Sequence, residues 1–501
     1  MLWLAVVLPA LPLQLAERAL VQPDNVPVAI VDGPAQRPVL LHCNDSARGQ
    51  GVAPGMKLAA AQALVRDLVA VERNAERERE ALAELSAWAY QFSGEIVVQA
   101  DGVLIETGGS ERLFGGRSRL SRAVRDGLEP LGYRAAFGYA VTPRAARLVA
   151  LARARQLACP HLFDTARLEG ALAPLPFTLL EWDGDTEDTL RALGLATIGD
   201  LLALPRVSFA KRFCRARLNE LDRMLARCAD PQPMYTPPER FIAKIELPAD
   251  LTETAQLMIP AQRLLASLEG FLRGRGAGAT ELTFTVHHSP RRTQRQPPTA
   301  ITLALAAPER DARRLAALLA ELMTRVALPE PAIVLALAVD RLQPFAALNG
   351  SRLPQPAEPG IDWLKLAETL HARLGSERVF QLQAVDDHRP ECAVRIVPVA
   401  TAADGTPPAL PWAPRPLLLL PEPHPLPMRN DVPVYREPLT LVTGPERIEH
   451  GWWDHASPAH GAPARAVHRD YFVARNSRGQ LLWVFRELAA PRGWFLQGLF
   501  A

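Results

Sequence analysis

One stretch of the chain, VVQADGVLIETGGSERLFGG (Val97–Gly116), has the shape of a catalytic hairpin that lacks most of its chemical groups. An apolar strand leads to Asp101 and Gly102, and a second strand ends at Glu106. Two adjacent carboxylates at such a turn would hold divalent cations, because Mg²⁺ needs several charged oxygen ligands. Only one is present, so we expect Asp101 to be a hydrogen-bonding or turn residue and not a metal ligand.

A second stretch, Leu190–Phe213, has the pattern of a helix-hairpin-helix followed by a basic run. The tight turn between its helices would expose backbone N–H groups and a helix N-terminus, an arrangement that binds phosphate. We therefore predict contacts to a DNA backbone, although a plain helical hairpin with a solvated charged face is the alternative. The predicted contact residues are Gly194, Thr197, Gly199, Lys211, Arg212 and Arg215.

The bulk composition is that of a globular protein with several domains. The chain has 501 residues, of which 48 % are hydrophobic and 22 % charged, too many residues for one core. A net charge of +2 gives no global attraction for nucleic acid, so any basic surface must be local. The five cysteines show no paired spacing, which argues against a disulfide framework or a zinc site and favours a cytoplasmic protein.

The first 16 residues, MLWLAVVLPALPLQLA, resemble the apolar core of a signal peptide. No Lys or Arg precedes them, and no clear cleavage site follows. We interpret LWLAVVL as a buried first strand.

The order of strand and helix signals predicts a multidomain α+β protein. Residues 1–162 alternate strands and helices, and residues 163–238 are helical. Residues 240–345 follow the ferredoxin-like order β-α-β-β-α-β. A Pro- and Gly-rich linker at 346–360 precedes residues 361–501, whose Pro-rich segments and terminal aromatic residues indicate a protein-interaction region.

The loop between the middle strands of residues 240–345, SPRRTQRQPP, is basic and contains no acid. We predict that it follows DNA phosphates. Its predicted contact residues are Arg291, Arg292 and Arg295.

This domain order resembles that of the Y-family translesion DNA polymerases. The resemblance covers residues 1–345 and implies a palm with fingers at about residues 22–80, then a thumb and a little finger. The tail resembles that of the ImuB family, the Y-family-like proteins of a bacterial mutagenesis cassette. The motifs that carry this are GVAPGMKLAAAQAL and GGSERLFGG in the palm and fingers, and VDDHRPE, RPLLLLPEPHPL, GWWD, RDYFVARNSRGQLLWVFRE and WFLQGLFA in the tail.

The resemblance implies that the palm is not catalytic. An active family member holds two Mg²⁺ ions with three carboxylates, which activate the primer 3′-OH and neutralise the triphosphate. Val7 and Gly102 stand at two of these positions, and Asp101 keeps the third. In the nucleotide pocket, Arg48 matches the family's Arg, but Asp45 replaces a Tyr and would repel a triphosphate. We expect no metal and no cofactor.

The resemblance also implies several partners. The thumb and little finger would grip primer–template DNA independently of its sequence. The tail would bring together an error-prone replicative-type polymerase subunit, the small RecA-like protein ImuA and the sliding clamp. Gln343, Phe345 and Leu348 form a degenerate clamp-binding peptide. Gln480–Phe485 matches such a peptide better by letter, but lies in a predicted strand, where we expect its apolar residues to be core.

Three hypotheses follow. The first is a non-catalytic adaptor in damage-induced mutagenesis that binds DNA and organises partners. The second is an active translesion polymerase with a rearranged metal site, in which Glu95 or Glu106 joins Asp101 and Mg²⁺ is the cofactor. The third is a secreted binding protein that begins with a signal peptide.

Overall fold

The computed structural model of the chain describes residues 1–20, 25–34, 37–289, 297–345, 359–375, 377–398, 414–452, 466–490 and 492–500. The chain forms two compact units, Met1–Arg373 and Leu374–Ala501. Among the described residues, no helix is long and apolar enough to cross a membrane.

Residues 1–154 alternate strands and helices, as their pattern predicts. The elements are β1 (Trp3–Val7), α1 (Leu11–Glu17), β2 (Val28–Asp32), β3 (Val39–Cys43), α2 (Asp45–Gly49), α3 (Leu58–Leu64), β4 (Val69–Glu72), α4 (Ala75–Ala89), β5 (Ile96–Gln99), β6 (Gly102–Glu106), α5 (Arg117–Leu128), β7 (Ala136–Ala140) and α6 (Pro143–Ala154).

Strand β1 lies inside a four-stranded antiparallel sheet of order β5-β6-β1-β7, which we call the palm sheet. The LWLAVVL part of the segment that resembles a signal peptide therefore contains a buried strand, paired on both sides, and the rest of the segment leads into α1. Because side chains alternate along a strand, Val6 faces helices α4 and α5 whereas Val7 faces helix α6. The palm sheet is thus covered on both faces.

A separate three-stranded sheet of order β3-β2-β4 forms the fingers region. Strands β2 and β4 are parallel, and β3 is antiparallel to β2. Its apolar core includes Leu40 and Val52 and is distinct from the cores of the palm sheet.

The thumb region consists of short helices whose core is continuous with the α6 face of the palm. Leu172 and Phe177 of the thumb pack in one cluster with Leu148 of α6. Its α-helices are α7 (Leu168–Leu172), α8 (Gly184–Ala192), α9 (Ile198–Ala203) and α10 (Arg206–Met224).

The little finger has the predicted β-α-β-β-α-β order, with one short strand added. Its four main strands form an antiparallel sheet of order β10-β9-β11-β8, in which β8 and β9 run parallel with β11 between them. The elements are β8 (Phe241–Leu251), α11 (Met258–Gly274), β9 (Ala277–His288), β10 (Thr299–Glu309), α12 (Ala312–Met323), β11 (Ala332–Val339) and β12 (Leu342–Pro344).

The little finger packs tightly against the palm helix α4. A Cβ atom at Gly270 would overlap the Trp88 ring, so only glycine allows α11 to lie this close to α4. The Lys244 ammonium lies 2.9 Å from the Glu80 carboxylate. Helix α13 (Pro359–Leu374) also contacts the little finger, where Glu368 accepts a hydrogen bond of 2.8 Å from the Ala306 N–H.

The C-terminal unit consists of β-strands in three sheets, of orders β13-β14, β15-β22-β21-β20-β19 and β16-β17-β18. The predicted hairpin around residues 476–479 is present as β20 and β21. Together the two units confirm the predicted fold class, a multidomain α+β protein. The strands are β13 (Phe380–Ala384), β14 (Val394–Pro398), β15 (Leu418–Leu426), β16 (Met428–Arg429), β17 (Val432–Tyr435), β18 (Glu437–Pro438), β19 (Thr440–His450), β20 (Val467–Arg475), β21 (Leu481–Glu487) and β22 (Gly493–Leu499).

Candidate functional site

The three degenerate ligand positions meet at one end of the palm hairpin. Val7 at the end of β1 pairs with Gly102 at the start of β6. The Leu8 N–H donates a 2.7 Å hydrogen bond to the carbonyl oxygen of Asp101. The structure therefore brings together the positions that the family resemblance identified.

Asp101 is held by an arginine that no sequence motif marks. From helix α6, Arg147 Nε donates to Asp101 Oδ1 at 3.1 Å, and Nη2 donates to Oδ2 at 3.0 Å. Nη2 also donates to Glu181 Oε2 of the thumb at 2.6 Å. Burial opposes the charged form of Arg147, but the Asp101 charge and the hydrogen bonds outweigh it and raise the pKa of Arg147. A guanidinium thus neutralises the one remaining carboxylate.

The other two positions do not fit a pair of Mg²⁺ ions. Val7 is apolar and 4 % exposed, and its side chain belongs to the core beneath α6. A Cβ atom at Gly102 would overlap the carbonyl oxygen of Val6, so no larger residue fits there without a backbone shift. With Asp101 bound by Arg147, the hairpin end offers Mg²⁺ too few oxygen ligands among the described residues.

The two acids proposed for a rearranged metal site lie at the opposite end of the hairpin. Glu106 pairs with Trp3, four residues along β1 from Val7, a distance of about 13 Å. Its carboxylate accepts hydrogen bonds from the Leu2 N–H at 2.9 Å and from two glycine N–H groups of the following turn. Glu95 lies beside it, since the Glu106 N–H donates to the Glu95 carbonyl. Neither acid joins Asp101.

Among the described residues, no group of three or more His, Cys, Asp or Glu side chains is placed to hold a metal ion.

The fingers and the palm border a cleft of about 900 Å³ that includes both residues predicted as nucleotide-pocket remnants. Asp45 and Arg48 form an exposed ion pair of 3.2 Å with each other. Two further arginines line the cleft and were missed, because no local motif marks them. Arg134 is paired with Glu17, whereas Arg153 is exposed and has no ion-pair partner among the described residues. Three arginines therefore face two carboxylates.

The thumb turn has the predicted helix ends, but its amides are already occupied. Gly194 adopts a left-handed φ of 75° just after α8, and Thr197 caps α9. The Asp200 carboxylate accepts hydrogen bonds from the N–H groups of Ala196 at 2.9 Å and Thr197 at 2.8 Å, which lowers the pKa of Asp200. The Gly199 N–H donates, at 2.8 Å, to the carbonyl oxygen of the residue that follows α7. These amides already have acceptors within the thumb. A contact of this turn with a DNA backbone therefore stays a prediction.

The basic run of the thumb is exposed. Lys211, Arg212 and Arg215 are all exposed, and none has a carboxylate within 4.0 Å among the described residues. Helix α10 breaks between them, at Cys214, whose φ is 70°. Arg217, by contrast, is paired with acids of the thumb. The three cations available for DNA therefore lie within five residues around the break.

The predicted phosphate contacts of the little finger lie outside the described residues. These are Arg291, Arg292 and Arg295.

The first clamp-binding candidate is only partly described, and its role stays a prediction: Gln343 is exposed, whereas Phe345 is half-buried. Gln343 belongs to strand β12, which pairs with β9, and the Phe345 ring packs against Gly278. Leu348 lies outside the described residues. In Gln480–Phe485, the last four residues are buried in the C-terminal sheet, which confirms that this segment is core.

Two tail motifs that are 60 residues apart in sequence meet in the C-terminal unit. In VDDHRPE, Arg389 Nη2 donates to Asp387 Oδ2 at 2.7 Å, and His450 Nε2 lies 3.5 Å from Asp387 Oδ1. Burial opposes ionisation of Asp387, but the Arg389 contacts outweigh it and lower the pKa of Asp387. A Cβ atom at Gly451, the first residue of GWWD, would clash with the Arg389 guanidinium. The motif residues therefore support each other's positions.

Part of the chain matches a known protein family, and curated relatives match most of its length. Residues 13–150 match the impB/mucB/samB family. Protein ImuB from two strains of Caulobacter vibrioides, NA1000 / CB15N and ATCC 19089 / CIP 103742 / CB 15, is 29 % identical over 475 residues, which cover 90 % of this chain and 100 % of each relative.

Among solved structures, DinB from Sulfolobus solfataricus is 15 % identical with a TM-score of 0.38, and covers 68 % of this chain and 98 % of its own. An insertion ternary complex of Dbh DNA polymerase is 14 % identical with a TM-score of 0.39, covering 68 % and 99 %. The resemblance that the sequence motifs predicted is confirmed by the curated relatives: the chain is similar to ImuB over 90 % of its length, and its residues 13–150 match the impB/mucB/samB family.

Proposed function

We propose that this polymerase-like, DNA-damage-related chain is a non-catalytic adaptor. It binds primer–template DNA and recruits an error-prone replicative-type polymerase and ImuA to the sliding clamp, for translesion synthesis and damage-induced mutagenesis in the cytoplasm. The observation that carries the proposal is the Arg147–Asp101 pair. The Arg147 guanidinium is hydrogen-bonded to Asp101, the one carboxylate at the three predicted ligand positions. Val7 and Gly102 have no side-chain oxygen to bind a metal.

The DNA-binding part of the proposal depends on the thumb. Lys211, Arg212 and Arg215 present three charges to solvent that are unpaired among the described residues, and contacts of this kind neutralise phosphates without reading sequence. The arginines of the little-finger loop are proposed to extend this surface along the duplex.

The partners follow from the similarity to ImuB. The polymerase subunit, ImuA and the clamp are expected to dock on residues 361–501, which contain the tail motifs, and on the segment that follows β12. Gln343 is exposed on strand β12, whereas the Phe345 ring packs beside Gly278, so clamp binding through both residues would require that ring to leave the little finger.

Primer extension on undamaged and abasic templates, with Mg²⁺ or Mn²⁺, tests the catalytic part. Primer–template binding is measured by fluorescence anisotropy on the same preparation. We expect binding without nucleotide incorporation. Incorporation that Asp101→Ala abolishes would establish the alternative, an active polymerase with a rearranged metal site.

A further inference from the structure

A pocket of about 500 Å³ opens at one end of the C-terminal sheet. It lies where the turn between β17 and β18 meets the turn between β20 and β21. Two arginines, Arg436 and Arg478, line it above an apolar floor that includes Leu481 and Leu499.

The pocket is cationic. Arg436 and Arg478 are exposed, and neither has a carboxylate within 4.0 Å in the described part of the chain. Arg475, at the adjacent end of β20, is also exposed and unpaired there. The one acid in the lining, Glu437, accepts a hydrogen bond from the Ser477 hydroxyl.

Other arginines of the same sheet form ion pairs with acidic side chains. Arg447 and Arg469 each bind a carboxylate of a neighbouring strand, at 2.8 Å and 3.2 Å. Arginines of this sheet can thus pair with acids of neighbouring strands, whereas the two pocket arginines have no such partner in the part of the unit that the structure describes.

Both arginines are presented by well-ordered turns. The Asn476 side chain accepts hydrogen bonds of 3.0 Å from the N–H groups of Arg478 and Gln480, which fixes the turn after β20. Arg436 adopts a left-handed φ of 60°, a conformation that non-glycine residues rarely adopt and that concentrates at ligand-binding sites. The Glu437–Ser477 hydrogen bond joins the two turns, so the spacing of the arginines is set by the fold.

The pocket suits a peptide better than a nucleic-acid base. The Arg436 guanidinium lies 5.8 Å from the centre of the Tyr435 ring, and His424 meets the same ring edge-on at 6.1 Å. That ring is therefore not free to stack on a base. The floor consists of leucines and of the Phe500 ring, which packs against the core of the sheet, and a branched apolar side chain would fill it.

We propose that this pocket binds an acidic peptide segment of a protein partner, with an apolar residue on the Leu481–Leu499 floor and carboxylates at Arg436 and Arg478. Charge complementarity identifies the occupant, since guanidinium groups bind carboxylates through paired hydrogen bonds. The inference rests on the proposed adaptor function, to which it adds the location and chemistry of one docking site.

The test is a selection from a displayed library of random nonapeptides against the full-length protein. A parallel selection uses the double variant Arg436→Glu/Arg478→Glu. We expect the wild-type protein to enrich sequences that combine Asp or Glu with a Leu, Ile or Phe, at least tenfold over the variant. Enrichment without acidic residues, no enrichment, or equal enrichment by the variant would overturn the proposal.

The best enriched peptide is then measured by fluorescence anisotropy. Its Kd should rise at least tenfold in the double variant and change less than twofold in Arg492→Glu, an exposed charge reversal at the opposite end of β22. Unchanged thermal unfolding and unchanged duplex binding of each variant show that the fold is intact. If the wild-type protein bound a 20-nucleotide oligo-dT but no peptide, and the double variant lost that binding, the pocket would be assigned to nucleic acid instead. Nucleotide incorporation would refute the adaptor proposal without altering these peptide results.

Discussion

Charged side chains are paired at the palm hairpin end but exposed on the thumb surface around Cys214. In the palm, Asp101 is neutralised by Arg147 and surrounded by apolar Val7 and by Gly102. In the thumb, neighbouring cations remain exposed and unpaired among the described residues. Removing one member of a partly buried ion pair is costly because the other charge is left unpaired, whereas exposed cations attract polyanions. The proposed function predicts this difference, with the palm as a scaffold and the thumb as a binding surface.

The largest effect is expected from restoring the missing carboxylates. The double substitution Val7→Asp/Gly102→Glu should lower the free energy of unfolding by about 3 kcal/mol or more, because a buried charge is introduced and a side chain overlaps the Val6 carbonyl. It should not produce nucleotide incorporation. Urea unfolding of the full chain, followed by far-UV circular dichroism, measures the loss.

The matched control for this experiment is Gly170→Ala in α7, where an added Cβ meets no atom within 4 Å. It should leave stability unchanged or slightly raised. A double variant as stable as the control would show that the hairpin end still accommodates a metal site.

Removing the cation from the palm tests whether the pair is structural. Arg147→Met and Asp101→Asn should each be destabilising, and a double-mutant cycle should give a coupling energy of about 1–3 kcal/mol for this partly buried pair. Thermal and urea unfolding of the four proteins supply the cycle. If Arg147→Met gained Mn²⁺-dependent primer extension, the arginine would be a blocker of a working site.

On the thumb side, the substitution Lys211→Ala/Arg212→Ala should weaken duplex binding about tenfold near 0.1 M salt. The slope of log K against log salt should fall in magnitude by about 2, because two phosphate contacts are lost. Anisotropy titrations over a range of salt concentrations measure both quantities. Arg191→Ala is the control, since that exposed thumb arginine is already paired with Glu187 and Asp188. If the double variant had the wild-type slope, this surface would not be part of the DNA interface.

A substitution in the thumb turn can distinguish a structural role of that turn from a role in DNA binding. Thr197→Ala should cost about 1 kcal/mol of stability through loss of the helix cap. Duplex affinity should stay within twofold of wild type, because the turn amides are occupied by Asp200 and by backbone carbonyls. An affinity loss above fivefold, in a variant shown to be folded at the assay temperature, would return this turn to the phosphate-binding surface.

The smallest effect concerns an internal ion pair of the thumb. Hydrogen bonds from Arg206 lower the pKa of Asp222 below its usual value. The pair therefore contributes stability that is fully present above the unfolded pKa of about 3.9 and is lost as the pH falls through the folded pKa. Asp222→Asn should lower the melting temperature at pH 6 by a few degrees, and this difference should shrink as the pH falls below about 3.9, as measured by thermal unfolding. A constant difference across this range would mean that the carboxylate charge is not what stabilises the thumb.

The sequence by itself determined the local elements and the chemical identity of the palm site. Continuous apolar runs specified β1 and the hairpin strands, and the capping residues of α9 specified where that helix begins, because these signals depend on neighbours within a few positions. At the three positions that the family resemblance predicts as metal ligands, the residue types at 7, 101 and 102 leave one carboxylate, because a valine or a glycine side chain has no oxygen to offer in any fold.

Only the tertiary structure decided which groups are engaged. Arg147 lies 46 residues from Asp101, and the Arg389–Gly451 contact spans 62 positions, so no local pattern reveals either. The same holds for the Gly199 amide, whose acceptor comes from the preceding loop. Hydrogen bonds and ion pairs form between whatever groups packing brings within about 3 Å, and burial of apolar side chains from distant segments decides which groups those are.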